Sequence, residues 1–172
     1  MVFLAMVRQR SHSVWMQQAI AAASAAGVAG DVPVGAVIVS PQDTLLAIAG
    51  NRRERDYDPT AHAEILALRQ AGQSLGQWRL TGCRLYVTLE PCPMCASAIA
   101  QARIAQIVYG ADDPKSGALR SVLNLPDSPA SFHHLDVIGG ILEEPCRHVL
   151  ETWFRHHRQE WRQSSSTSSS SK

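Results

Sequence analysis

The sequence predicts an α/β domain: a mixed five-stranded sheet covered by helices on both faces. Three observations predict it. The apolar patterns run in the order α-β-β-α-β-α-β-β-α. A strand–helix–strand unit spans residues 83–111 near the middle, which favours a parallel strand pair. The length of 172 residues suits one domain with a substantial core, and 45% hydrophobic with 18% charged residues is an ordinary globular balance.

Each element has a local cause. "SVWMQQAIAAASAAG" is Ala-rich, opens on Ser13 as a candidate cap and ends at Gly27, and so predicts a helix. "PVGAVIVS" and "TLLAIAGN" are apolar and partly β-branched around Pro41-Gln42-Asp43, a turn-forming group, which predicts a hairpin. "NRRERDYDPT" reads as a polar loop. A helix is expected from about Pro59 to Ala71, with Asp58 as cap, Pro59 in its first turn and Gly72 as its stop. "CRLYVTLE" reads as a buried strand, Pro93 to about Arg103 as a helix, and "AQIVYGA" as the next strand. "DDPKSGALRSVLNLPDSPASF" has turn residues without a clean period, and predicts a long functional loop with a short helical turn. "HHLDVIGGIL" reads as the fifth strand. In the last helix Cys146, Val149, Leu150, Trp153 and Phe154 fall at helical spacing on one apolar stripe.

Composition narrows the function classes. Four cysteines are too few for a disulfide scaffold. The N-terminal "MVFLAMVRQR" has its arginines after its apolar run, the reverse of a signal peptide, and no stretch approaches the roughly 20 apolar residues of a membrane span. A cytoplasmic protein with reduced thiols is expected. A net charge of +1 excludes a general nucleic-acid coat and leaves only local basic patches for such a role. The expected organisation is an N-terminal extension over 1–12, the domain over 13–163, and a disordered Ser-rich tail over 164–172.

The chemistry concentrates in "TAHAE" and "PCPMC". Cys92 and Cys95 have the gap of two thiolates on one zinc, although a lone CxxC also suits a redox pair. Cys83 and Cys146 stand apart in apolar settings and read as core residues. His62 is the natural third ligand, and three protein ligands leave the fourth zinc position open, as catalytic sites require. Glu64 can then take a proton from a water whose pKa the metal lowers. His62 and Glu64 lie about 200° apart around a helix. Both reach one metal only if the site sits at the helix tip.

H-x-E followed by P-C-x-x-C is the pattern of zinc nucleobase deaminases. The runs "DVPVGAV", "GNRR", "DPTAHAEILALRQAG", "LYVTLEPCPMCASAI", "VYGADDPKSGA" and "FRHHRQE" resemble bacterial tRNA-specific adenosine deaminases, within the cytidine/deoxycytidylate deaminase superfamily. The resemblance covers about Trp15 to Gln163. It implies the three-layer α/β/α cytidine-deaminase-like fold, one zinc per subunit on His62, Cys92 and Cys95, and a homodimer. It implies conversion of wobble adenosine (position 34) to inosine in a tRNA anticodon stem-loop, with DNA not expected as the natural substrate. In that reaction zinc-bound hydroxide attacks C6, and Glu64 protonates N1 and then the leaving amine. Asn51 matches the family's base- or ribose-contacting Asn, with an amide that can donate and accept. Val32 and Pro33 resemble its pocket wall. Asp113, Lys115 and Ser116 resemble its loop beside the substrate backbone, and Asp112 departs from the basic residue of many members.

Several readings stay open beside it. Glu90 is a rival carboxylate to Glu64, with a structural role at a strand end as the preferred reading. Arg52, Arg53 and Arg55, and the last helix with Arg155, His156, His157, Arg158 and Arg162, are candidate RNA-facing clusters. Phe154 can stack on a splayed base or pack in the core. A free guanine or cytosine deaminase, a non-catalytic zinc-binding RNA partner and a thiol redox protein are the competing functions.

Overall fold

Three strands, β1 (Gly35–Val39), β3 (Arg84–Leu89) and β4 (Gln106–Ala111), are buried at nearly every position. Burial without alternation requires cover on both faces of the sheet. With β2 (Leu45–Gly50) and β5 (Asp136–Ile138) they form one sheet in the order β2-β1-β3-β4-β5. β1 is antiparallel to both β2 and β3, while β3, β4 and β5 run parallel. The sheet is therefore mixed and five-stranded, as expected. The computed structural model describes residues 2–129, 131 and 133–167, with side chains over 12–129, 131 and 133–158.

The hairpin forms where Pro41-Gln42-Asp43 predicts it. Ser40 Oγ accepts from the N–H groups of Gln42 (3.2 Å) and Thr44 (3.1 Å). On β1 alternate residues serve opposite cores. Val37 and Val39 pack with Met16, Ala19, Tyr86 and Cys146, toward helices α1 (Val2–Val28) and α5 (Glu143–Thr167). Ala36 and Ile38 pack with Ala63, Ala67, Ile99 and Cys83, toward helices α3 (Ala63–Leu75) and α4 (Pro93–Gln101). Cys83 and Cys146 are thus core residues of the two opposite layers, and the fold is the expected α/β/α sandwich.

The differences from expectation have local causes. α1 begins at Val2 and takes in the expected N-terminal extension, because nothing over residues 2–12 is a helix breaker and propagation adds one bond per residue. α5 likewise runs through Thr167 into the Ser-rich stretch; the remainder of that expected tail and the Arg162 side chain lie outside the described residues. The loop after β2 contains a one-turn helix, α2 (Arg53–Asp56). α3 starts at Ala63 rather than near Pro59, since Asp58 caps a turn instead of a helix: its Oδ1 accepts from both the N–H and the hydroxyl of Thr60, at 2.7 Å each. Gly72 sits inside α3, and Gly76 at φ 64° ends it. Among the described residues no helix is long and apolar enough to cross a membrane.

α1 lies unusually close to the sheet. A Cβ placed on Gly35 would stand 2.0 Å from the Ala19 carbonyl oxygen and 2.5 Å from the Ala23 nitrogen. The small residues of α1 and the absent side chain at 35 permit that approach. Gly35→Ala should force the helix off the sheet and cost about 1–3 kcal/mol, the usual range for overpacking. The check is thermal unfolding: the midpoint should fall by several degrees, at about 2–4 °C per kcal/mol. An unchanged midpoint would contradict the close packing.

Candidate active site

Helices α3 and α4 both begin where strands of the sheet end, and each begins on a metal-ligand residue type. His62 caps α3 with φ −73° and ψ 151°, and Cys92 caps α4 with φ −70° and ψ 171°. Neither side chain is spent on capping its own helix. Pro93 in the first turn of α4 has the fixed φ that helix starts favour. Cys95 lies within that first turn and is fully buried. The positive dipole ends of both helices favour negative thiolates.

The three ligand atoms lie within 4.8 Å of one another. His62 Nδ1 is 3.5 Å from Cys95 Sγ and 3.8 Å from Cys92 Sγ. Bonds of about 2.3 Å to sulfur and about 2.0–2.1 Å to nitrogen, at a tetrahedral angle, span about 3.6 Å. The donors therefore fit one zinc ion, and their chemistry fits zinc as well. Electrostatics leads to the same ion. The Cys92 thiol is lowered to about 4, first by the hydrogen bond from Cys95, against burial and with help from His62. Cys95 is pushed far up, first by that same bond and then by burial. His62 is raised, first through its contact with Cys92. Two neighbouring thiolates repel, and a bound cation would offset the second negative charge.

Glu64 occupies the first turn of α3 and is 3% exposed. The helix-tip condition is met: His62 sits at the cap and Glu64 two residues in. The Glu64 carboxyl is raised, chiefly by burial. Its Oε2 is buried and has no hydrogen-bond partner among the described residues. An unpaired buried acceptor costs about 1–3 kcal/mol or more, and calls for a functional account.

A cavity of about 150 Å³ opens beside these groups. Of the expected residues, Val32, Asn51, His62, Glu64, Cys92, Asp113 and Ser116 line it, and Cys95 lies beneath. Pro33 does not line it. Val32 and Val34 face the cavity, whereas Pro33 faces a separate groove with Trp153 and His157, because successive side chains entering a strand point opposite ways. Lys115, Phe154, Arg155 and Arg158 are also not brought to the cavity. Phe154 is 42% exposed and packs edge-on against Trp153, whose Nε1 donates to the Gly27 carbonyl at 3.2 Å.

Asn51 is buried, and its Oδ1 accepts from the Ala63 N–H at 2.8 Å. One face of the amide thus fixes the start of α3. The expected donate-and-accept contact reduces to donation from the side-chain NH2. The Asp113 carboxylate is taken up by its own turn, accepting from the N–H groups of Lys115 (2.9 Å) and Ser116 (3.2 Å) and from the Ser116 hydroxyl. Asp112 accepts from the Tyr109 hydroxyl at 2.9 Å. Both acidic side chains are therefore partnered.

Glu90 is structural in the sense expected. It is 2% exposed, and its carboxylate accepts from the backbone N–H groups of Asp113, Leu119, Arg120 and Ser121, at 3.1, 3.0, 2.7 and 3.0 Å, and from the Ser121 hydroxyl. Burial would raise its pKa, but these bonds outweigh burial and lower it. Sequence reasoning missed Asp31. It is 1% exposed and accepts from the N–H groups of Glu54 (2.9 Å) and Arg55 (3.4 Å), holding the turn that brings Arg53 to the cavity. An acidic residue leading an apolar run into a buried strand was the available signal.

A histidine and two cysteines at two convergent helix starts, on a sandwich of this order, define a zinc-dependent hydrolytic deaminase. Residues 9–111 match the model of the cytidine and deoxycytidylate deaminase zinc-binding region. The chain is 43% identical over 145 residues to a tRNA-specific adenosine deaminase of Bacillus subtilis, across 84% of this chain and 89% of that one. It is 45% identical over 150 residues to one of Agrobacterium fabrum, across 87% and 97%. A solved structure from a study of A-to-I editing by tRNA:A34 deaminases superposes with a TM-score of 0.77 at 46% identity, covering 79% of this chain and 98% of that one. The chain belongs to the cytidine and deoxycytidylate deaminase family, among its tRNA-specific adenosine deaminases.

The pairing of Cys92 and Cys95 at one site has a measurable consequence. Zinc requires both sulfurs as thiolates and His62 neutral, so binding must expel protons and affinity must rise with pH. Calorimetric titration of the metal-free protein at neutral pH, in buffers of different ionisation enthalpy, should register release of at least about one proton per zinc. Zero release would mean that the two sulfurs do not both ligate.

Proposed function

We propose that the chain deaminates adenosine in tRNA, at the wobble position of the anticodon, giving inosine and ammonia. The observation that carries this reading is Glu64: a buried carboxylate with one unpartnered oxygen, beside three zinc-ligand atoms, at the wall of a small cavity. The substrate comes from the relatives, which are named tRNA-specific adenosine deaminases, and from the structural neighbour's tRNA:A34 activity.

His62, Cys92 and Cys95 would hold the zinc. Bound there, zinc supplies the Lewis acidity that lowers a water's pKa from 15.7 to about 7. Glu64 takes one proton of the attacking water and delivers it to N1 of the base, then takes the remaining proton of the new C6 hydroxyl and delivers it to the departing amine. One water enters and one ammonia leaves, so the carboxylate ends as it began. Its raised pKa suits a group that must both accept and return a proton near neutral pH. The Asn51 NH2 donates to an acceptor on the purine or its ribose, and Val32 and Val34 hold the base by apolar contact.

A folded anticodon loop extends beyond a 150 Å³ cavity. Arg53 at its wall suits a phosphate, exposed Phe154, Arg155 and Arg158 suit the neighbouring nucleotides, and Lys115 lies on the loop that brings Asp113 and Ser116 to the cavity. Pro33, which shares its groove with Trp153, would contribute to that outer surface. A homodimer is supported by an apolar groove between α3 and α4, lined by Leu68, Gly72, Ala98 and Ala102 together with Trp78, which is 58% exposed. A tRNA substrate is consistent with a cytoplasmic site of action.

The test is inosine formation on a tRNA with adenosine at the wobble position, for zinc-loaded wild type and Glu64→Ala. Wild type should convert it. The variant should retain zinc and lose at least about 10²–10⁴ in rate, the range of general acid–base catalysis. A zinc-loaded wild type that leaves the tRNA unchanged would refute the substrate. A fully active variant would refute the proton role and favour a non-catalytic zinc protein.

A further inference from the structure

The 113–121 loop supplies Asp113 and Ser116 to the cavity, yet it has no strand or helix to hold it. Ala118 and Leu119 pack into the core, and the loop's polar support converges on one side chain. Four backbone N–H groups of the loop and the Ser121 hydroxyl all converge on the Glu90 carboxylate. A carboxylate has about four lone-pair directions, so these donors saturate it. Hydrogen bonds to an ionised acceptor are the stronger kind, and a buried carboxylate left without them would be costly. The loop fits closely around the anchor: a Cβ on Gly117 would stand 2.2 Å from Glu90 Oε2. The backbone on either side of the anchor is tied as well. The Glu90 N–H donates to the Ala111 carbonyl at 2.9 Å, and the Ala118 N–H donates to the Pro91 carbonyl at 2.9 Å.

We propose that Glu90 is a positioning residue for substrate: its carboxylate sets the 113–121 loop as one wall of the cavity, at the same strand–helix joint that carries Cys92. The residue acts through the loop and moves no proton of the reaction. Substrate wall and metal ligand are then kept in register by one short segment, residues 90–92. The inference rests on the tRNA reading only for its kinetic consequence; the anchoring itself is independent of the substrate.

The test compares wild type with Glu90→Gln, Gly117→Ala and Ser121→Ala, all full-length and zinc-loaded, by amide hydrogen exchange and by steady-state deamination of an anticodon stem-loop. Glu90→Gln removes the anchor's charge, Gly117→Ala pushes the loop off it, and Ser121→Ala deletes one donor while sparing the carboxylate. Exchange at Leu119, Arg120 and Ser121 should rise by about tenfold or more in the first two variants and less in the third, the loss expected when buried hydrogen bonds to a charged acceptor are removed. KM should rise by a similar factor with kcat within about threefold, as for a lost binding contribution. Unchanged exchange in the loop would overturn the proposal. So would a fall in kcat at constant KM in Gly117→Ala. If Glu90→Gln loses zinc, the two variants that keep the carboxylate decide the matter. If wild type does not convert the stem-loop, the substrate reading falls while the exchange comparison still decides the anchor.

Discussion

Everything in this site depends on two helices starting at one point. α3 and α4 rise from the same edge of the sheet, and each has a metal-ligand residue as its cap. That convergence sets the 3.5 and 3.8 Å spacings between imidazole and sulfurs, and it brings the positive ends of two helix dipoles to the thiolates. The sheet makes it possible. β3 and β4 are parallel, so their C-terminal ends lie side by side, and the segments leaving them carry Cys92 and Asp113. Ligand sites in open α/β sheets form at such ends.

Two buried carboxylates then divide the work by environment. Glu64 has an oxygen with no partner and a pKa raised by burial. Glu90 has every acceptor direction filled and a lowered pKa. The first keeps an acceptor open, as the proton role proposed for it needs; the second is fixed as a charge that organises backbone. Opposite environments giving opposite roles to chemically similar groups is the general logic of acid–base sites. Asn51 shows a further division within one side chain, with its oxygen fastening α3 and its nitrogen left for the cavity.

The element order along the chain, the hairpin, the parallel pair and the core cysteines were legible because burial imposes period and length on strands. That His62, Cys92 and Cys95 would come together, with Glu64 at the same helix tip, was legible because metal chemistry restricts residue type and spacing. Helix limits were less so: Asp58 and Pro59 carry a helix-start signal that the Thr60 contacts redirect into a turn, and Gly72 carries a stop signal that packing overrides. The role of Asp31, and the particular partners that give Glu90 its expected structural role, depend on backbone groups far away in sequence. No local pattern encodes which distant N–H groups a buried carboxylate will collect.

The central claim is a three-ligand zinc centre with a fourth position left for chemistry. Zinc K-edge X-ray absorption on the metal-loaded protein tests it most directly. The account predicts two sulfurs at about 2.3 Å, one imidazole nitrogen at about 2.0–2.1 Å and one further light atom. A shell of four sulfurs, or one with fewer than two, would contradict it.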